Sequence, residues 1–166
     1  WVSDAKRYFS KTGCPAFQIG QKYLSGSSIR QDYLETAIEG LSEGQIKPYM
    51  AEHQHDPNAG ALWRYFQGVI SWVGATFHVY RKEMKGIAWG HLYNQFGDDV
   101  LDANELETKI VLLMDDDEVT SNKGIYTYLL TGDSKHLNLR QFDDKTKRKV
   151  YERQAGVCPH CKKHFV

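Results

Sequence analysis

The sequence has few cysteines and no long apolar run. Three cysteines, Cys14, Cys158 and Cys161, are too few for a disulfide scaffold, and their number is odd. No apolar stretch approaches the length of a membrane span, and the first residues do not resemble a signal peptide. These absences argue against a disulfide-rich secreted protein and against a membrane partner. They favour a reducing, cytoplasmic setting, where paired cysteines more often hold a metal ion.

The sequence also lacks net charge, but its charges are unevenly distributed. Lysine plus arginine number 21 and so do aspartate plus glutamate. Residues 140–166 carry eight basic and three acidic side chains, which leaves +5 there and −5 on residues 1–139. A basic segment on an acidic body is either a nucleic-acid-binding surface or an ordinary solvent-exposed helix face.

What the sequence does contain is helical periodicity and many aromatic residues. We predict an all-α fold, a multi-helix bundle-like domain with a short irregular C-terminal knuckle. The predicted helices cover Trp1–Phe9, Ala16–Leu24, Ile29–Leu41, Gly44–His53, Pro57–Tyr80, a short helix from Trp89 to Phe96, one after Asp102 to Met114, one after Asn122 to Gly132, and 143–154. The helix Pro57–Tyr80 has the strongest pattern, with an apolar residue at every third or fourth position.

Several helix ends carry recognisable caps. Ser28 with Gln31 fits a capping box, and Asp56-Pro57 fits an N-cap followed by proline. Asp102, Asn122 and the pair Asp143-Asp144 are further N-cap predictions.

We predict two parts, a helical domain over residues 1–136 and the start of a second module over residues 137–166. The stretch Gly132–Gln141 is the expected linker. Because the chain opens on Trp1 and ends on Phe165-Val166, we expect it to be a fragment of a longer protein.

The segment Cys158-Pro159-His160-Cys161 has the spacing of a zinc knuckle, because a tight turn can converge two thiolates on one ion. A tetrahedral site needs two further ligands. His164 is a candidate third ligand and Cys14 a distant fourth. A redox pair is the alternative, but the sequence lacks the βαβ pattern that usually carries one, so metal is favoured.

This C-terminal region resembles the entry to an HNH endonuclease. The residues that carry the resemblance are Arg140-Gln141-Phe142, Tyr151-Glu152-Arg153-Gln154 and the run from Gly156 to Lys163. In that family, a helix ending in Tyr-x-x-Gln-x-Gly leads into the first zinc knuckle.

The resemblance implies a structural zinc ion, DNA as the partner, and a divalent cation at the catalytic site of the parent nuclease. In the family, the general-base histidine and the cation ligands follow the first knuckle, and no residue here matches them. His160 and His164 precede that histidine, so we assign no catalytic residue.

The body is similar to bacterial GmrSD-like proteins, which join a ParB-like domain to a helical region and a C-terminal HNH module. The matching segments are 33–38, 62–66, 80–86 and 123–130. Many such proteins are thought to act in restriction of foreign DNA. The ParB-like signature is absent from this sequence.

The basic residues of the C-terminal region are the predicted contacts to DNA, because lysine and arginine can neutralise phosphates and release counterions. They are Lys145, Lys147, Arg148, Lys149, Arg153, Lys162 and Lys163. On the predicted helix, Lys145, Lys149 and Glu152 share one side, and Thr146, Val150 and Gln154 share another.

Three other clusters are weaker candidates. The segment Tyr80–Lys85, beside Trp89 and His91, mixes basic and aromatic residues, which suits nucleic acid but also an ordinary helix end. The run His53–Asp56 has metal-ligand side chains, although the predicted cap already explains Asp56. The acidic run Asp115–Glu118 lacks calcium-loop spacing and is interpreted as a surface turn.

Two functions follow. The preferred one is a non-catalytic helical fragment of an HNH-type DNA endonuclease of a restriction or defence protein, which positions the nuclease module and contacts DNA. The alternative is a helical protein–protein interaction module whose zinc knuckle is completed by a partner or a second copy. Self-association is open in both.

Overall fold

The computed structural model describes residues 1–164 and confirms the all-α prediction. Within those residues the regular structure is helical, apart from one isolated antiparallel bridge between Val157 and His164. The α-helices are α1 Val2–Phe9, α2 Pro15–Gly20, α3 Asp32–Leu41, α4 Ile46–His53, α5 Gly60–Thr76, α6 Trp89–Phe96, α7 Ala103–Met114, α8 Gly124–Thr131 and α9 Asp144–Arg153. Two 3₁₀ segments cover Lys82–Met84 and Ser134–Leu137.

Helix α5 joins two hydrophobic clusters. Its first half contributes Leu62 and Phe66 to a cluster with α1 to α3. Its second half contributes Val69 and Val73 to a cluster with α6, α7 and α8. The apolar residues recur at steps of three and four, so one helix face serves both clusters. The strong periodicity of the sequence therefore marks the central helix of the body.

The predicted start of α5 at Asp56-Pro57 is wrong. The Asp56 carboxylate instead accepts a hydrogen bond from His53 Nδ1 at 2.7 Å. The helix begins at Gly60, and the N–H of the preceding Ala59 donates to the Asp4 carboxylate of α1 at 2.9 Å. A side chain from a distant part of the chain thus bonds the start of the helix, which no local pattern could reveal.

Two other predicted caps are also wrong. Ser28 is buried and donates to the carbonyl of Lys11, while Gln31 adopts a left-handed φ of 66° before α3. At α8, the hydroxyl of Ser121 accepts from the N–H of Gly124, in the role predicted for Asn122. Ser28 is thus used in a contact 17 residues away along the chain, whereas at α8 the residue next to the predicted cap takes its place.

The remaining cap predictions are confirmed. Asp102 accepts from the N–H groups of Asn104 and Glu105, and Asp143 accepts from Thr146. Gly132 ends α8 in a left-handed conformation, with φ at 73°. Helix α6 has the predicted bounds.

Helices α3 and α6 cross closely where Gly40 meets Gly90. A Cβ added at Gly90 would lie 3.0 Å from the Cα of Gly40. The Tyr65 hydroxyl bonds Asn94 at 2.9 Å, and the Asn94 amide donates to the carbonyl of Gly40 at 2.8 Å. Two glycines therefore allow the approach and two polar side chains fix it.

The expected linker 132–141 is partly packed on the body. Leu137 is buried in the second cluster, and its carbonyl accepts from the N–H groups of Thr120 and Ser121. The N–H of Arg140 donates to the carbonyl of Glu118 at 2.7 Å. Contacts with the body thus continue to Arg140, past the predicted boundary at residue 136. The last two residues of the predicted second module, 165 and 166, lie outside the described residues.

Across residues 1–164, each helix is too short or too polar to cross a lipid bilayer.

Candidate functional site

The C-terminal candidate site begins with α9, which buries none of its side chains. Asp143 caps the helix, and hydrogen bonds from Thr146 lower the pKa of the Asp143 carboxyl. Asp144 follows in the first turn, where negative charge favours the helix dipole. The helix is therefore stabilised by its own N-cap, and it is exposed to solvent along its length.

Helix α9 has one apolar and one basic side. A shallow apolar groove is lined by Phe142, Thr146, Lys147, Val150, Tyr151 and Gln154. At 100° per residue, Lys145, Arg148, Lys149 and Glu152 lie on the opposite side, and Arg153 lies at the border beside Thr146. The predicted separation of Lys145, Lys149 and Glu152 from Thr146, Val150 and Gln154 is confirmed.

The seven predicted DNA contacts are all exposed. Among them, Lys147 forms an ion pair with Asp144 at 3.8 Å and also borders the groove. Lys145 and Lys149 have no ion-pair partner within the described part of the chain. The unpaired lysines of α9 thus lie on the side away from the groove, which they share with Glu152.

After α9 the chain forms a tight hairpin turn around the two cysteines. The N–H of Cys158 donates to the carbonyl of Lys163, and the N–H of Lys162 donates to the carbonyl of Cys158, both at 2.9 Å. Lys162 has a left-handed φ of 61°. This backbone geometry places Cys158 and Cys161 on one turn, as the Cys-x-x-Cys spacing predicts.

The turn favours the thiolate of Cys158. Hydrogen bonds from the backbone N–H groups of Cys161 and His160, followed by the Cys161 side chain, lower the pKa of the Cys158 thiol. Two N–H groups aimed at one sulfur stabilise its negative charge, and the thiolate is the form that binds metal. Cys158 is half-buried and Cys161 is exposed.

The structure gives a reason for the tyrosine and the glycine of the Tyr-x-x-Gln-x-Gly pattern. Gly156 has a φ of 69°, and a Cβ there would lie 2.8 Å from the Tyr151 hydroxyl. The N–H of Gly156 donates to the carbonyl of Tyr151 at 3.0 Å. Tyr151 and Gly156 are therefore packed together, and a larger residue at position 156 would be strained and would clash.

The cysteine pair is too small a ligand set for a tetrahedral zinc ion, which takes four ligands. Residues 1–164 hold no group of three or more histidine, cysteine, aspartate or glutamate side chains that could bind one ion. His164 thus does not join Cys158 and Cys161 in a three-ligand group. Cys14 is 3% exposed within the N-terminal cluster, where it packs as a small apolar residue. Thiolates are ligands that zinc prefers, but a tetrahedral site here would need two further ligands from elsewhere.

The basic and aromatic segment Tyr80–Lys85 lies on the body. Some of its residues are engaged in contacts with the body, and others are exposed to solvent. The Arg81 guanidinium makes a two-pronged ion pair with Glu107 of α7, which lowers the pKa of that carboxyl. Trp89 is buried and donates its indole N–H to the carbonyl of Met84. Tyr80, Lys82 and Lys85 remain exposed.

Two residues near this segment were missed by sequence reasoning. Lys22 follows α2 and lies over the Tyr80 ring, with its Nζ 5.4 Å from the ring centre. Lys123 precedes α8 and reaches Gly86. Both are isolated lysines in the sequence, and neither is part of a pattern that could have identified it.

Neither of the two other clusters forms a metal site within the described residues. His53 is hydrogen-bonded to Asp56, and its ring lies against Tyr49 at a tilt of 38°, with ring centres 4.2 Å apart. In the acidic run, Asp116 accepts from the N–H of Glu118, which is typical of a surface turn.

Comparisons with protein-family models, with curated proteins and with solved structures found no match.

Proposed function

We propose that this chain is the non-catalytic helical part of an HNH-type DNA nuclease of a restriction or defence system, acting in the cytoplasm. Its helical body would carry the nuclease module, and α9 with the cysteine turn would contact DNA. One observation carries the proposal. An amphipathic basic helix that buries no side chain leads directly into a tight turn that contains Cys158 and Cys161.

Charge supports DNA as the partner. The C-terminal region carries +5 while the preceding residues carry −5, so a polyanion would be attracted to one end of the molecule. Lysines without carboxylate partners can exchange their counterions for phosphates without breaking an existing ion pair.

The test is DNA binding by single charge-reversal variants in α9. We expect Lys149→Glu to weaken binding to duplex DNA more than Lys147→Glu, because Lys147 already pairs with Asp144 and borders the groove. Fluorescence anisotropy across a salt series would measure both the affinity and its salt dependence. Lys47→Glu, an exposed lysine on α4, is the matched control.

Equal affinity of wild type, Lys149→Glu and the control would contradict the proposal. So would magnesium- or manganese-dependent DNA cleavage by the purified chain that is lost on substitution of one of its own residues, because the proposal assigns this chain no catalytic residue.

A second function is favoured by the incomplete ligand set of the cysteine turn. Two thiols with no third ligand in the described chain would suit an interaction module whose zinc ion is shared with another molecule. In that case the basic helix would serve only as a solvated surface.

A further inference from the structure

The helical body carries a second cationic surface that is assembled from three separate parts of the chain. Its members are Lys22 after α2, Lys82 and Lys85 around the first 3₁₀ segment, and Lys123 before α8. All four lysines are exposed. We call these four lysines, together with Tyr80, the body patch.

Specific contacts place these segments side by side. The N–H of Gly86 donates to the carbonyl of Tyr23 at 2.9 Å, which joins the Lys85 turn to the segment of Lys22. The rings of Tyr23 and Tyr80 meet edge to face with their centres 6.0 Å apart. The Nζ of Lys22 lies 5.4 Å from the centre of the Tyr80 ring.

Lys123 lies next to the Gly86 turn and so belongs to the same surface. Gly86 has a φ of 86°, and a Cβ there would lie 3.4 Å from both the Nζ of Lys123 and the hydroxyl of Ser25. An ammonium group and a hydroxyl therefore both border the space above Gly86, where the backbone carries no side chain. Both groups can donate hydrogen bonds to an anionic oxygen.

The lysines of the body patch have no carboxylate partner within residues 1–164 at ion-pair distance. Arg81, their neighbour, is neutralised by Glu107. Glu83 is the one acidic residue within the Lys82–Lys85 segment, which carries two of the four lysines. The four lysines lie on a body whose net charge is −5 over residues 1–139, so the patch contrasts with its surroundings.

We infer that the body patch binds the phosphodiester backbone of nucleic acid, as a second contact surface in addition to α9. Flexible lysines neutralise phosphates without reading sequence, and an exposed tyrosine among them suits a base or sugar ring. Tyr80 is 42% exposed, and the ammonium group of Lys22 lies over its ring. The inference rests on the proposed function for its ligand, but it depends on different residues.

The experiment compares three double variants of the full chain. Lys85→Gln with Lys123→Gln removes two charges of the body patch, and Lys145→Gln with Lys149→Gln removes two charges of α9. Lys6→Gln with Lys47→Gln is the control, since both lysines are exposed on the body and lie outside the patch. Glutamine removes the charge without adding repulsion. The probes are a labelled duplex DNA, the single strand of the same sequence, and vesicles of anionic lipid.

We expect the body-patch variant to bind DNA several-fold more weakly, with the slope of log affinity against log salt reduced by about 2, one for each phosphate that is no longer neutralised. The control should keep the wild-type slope. A stronger effect on the single strand would show that unpaired nucleic acid is the source of the phosphates, and a stronger effect on the duplex would show that duplex DNA is.

The outcomes separate this inference from the proposed function. If the α9 variant loses affinity and the body-patch variant binds like wild type, the inference is overturned and the proposed role of α9 stands. If only the body-patch variant loses affinity, the inference stands and the role of α9 fails. Wild-type affinity in both variants overturns both. Tighter, patch-dependent binding to the lipid vesicles than to DNA also overturns the inference.

Discussion

At the residue scale, the contact between Gly40 and Gly90 leaves no room for a methyl group. A Cβ at Gly90 would lie 3.0 Å from the Cα of Gly40 and 3.0 Å from the Tyr65 hydroxyl. We expect Gly90→Ala to lower the free energy of unfolding by about 1–2 kcal/mol, because overpacking outweighs the better helix propensity of alanine. Urea denaturation would measure the change.

Gly74 provides the matched control within the body. It lies inside α5, and an added Cβ would meet only the Tyr23 hydroxyl, at an ordinary 3.6 Å. We therefore expect Gly74→Ala to raise the free energy of unfolding by up to about 1 kcal/mol. If both substitutions changed stability in the same direction, the close crossing of α3 and α6 would not be the cause.

At the element scale, two helices with the same type of cap differ in what they bury. Helix α7 buries Leu106 and Ile110, whereas α9 buries no side chain. We expect Asp102→Ala to lower the stability of the body by about 1 kcal/mol. We expect Asp143→Ala to leave that stability unchanged and to reduce amide protection within α9, because a helix of ten residues without packing is marginal in water.

Urea denaturation combined with hydrogen exchange would separate the two effects. Asp102→Asn and Asp143→Asn are the controls, since asparagine caps a helix about as well as aspartate. A lower midpoint of global unfolding for Asp143→Ala would mean that α9 is coupled to the body.

At the scale of the whole molecule, the cysteine turn offers two thiols, whereas a tetrahedral zinc site requires four ligands. If a second copy completes the site, zinc should drive dimerisation with one ion per two chains. Metal analysis with light scattering after size exclusion would measure both quantities. Cys161→Ser should abolish the dimer, and a chelator should reverse it.

A monomer that binds one zinc ion would contradict completion by a second copy and would point to another ligand within the same chain. Cys14→Ser is the matched control, because Cys14 is buried in the first cluster and should not affect zinc-dependent association.

The sequence by itself determined most of the helices. Periodic apolar residues predict the face of α5 that packs. Asp102, Asp143 and Gly132 mark helix ends through hydrogen bonds to residues two to four positions away in the sequence. The Cys-x-x-Cys turn and the two sides of α9 were predictable for the same reason, since each depends on neighbours along the chain.

Only the tertiary structure decided what depends on distant partners. The start of α5 is bonded by Asp4, Ser28 donates to Lys11, and Cys14 is buried in a cluster away from the cysteine turn. The body patch is the strongest case. Lys22 and Lys123 meet the Tyr80–Gly86 segment through a backbone bond, a ring contact and a glycine turn. Periodicity and spacing describe neighbours along a chain, whereas surfaces of this kind are made when packing brings remote segments together.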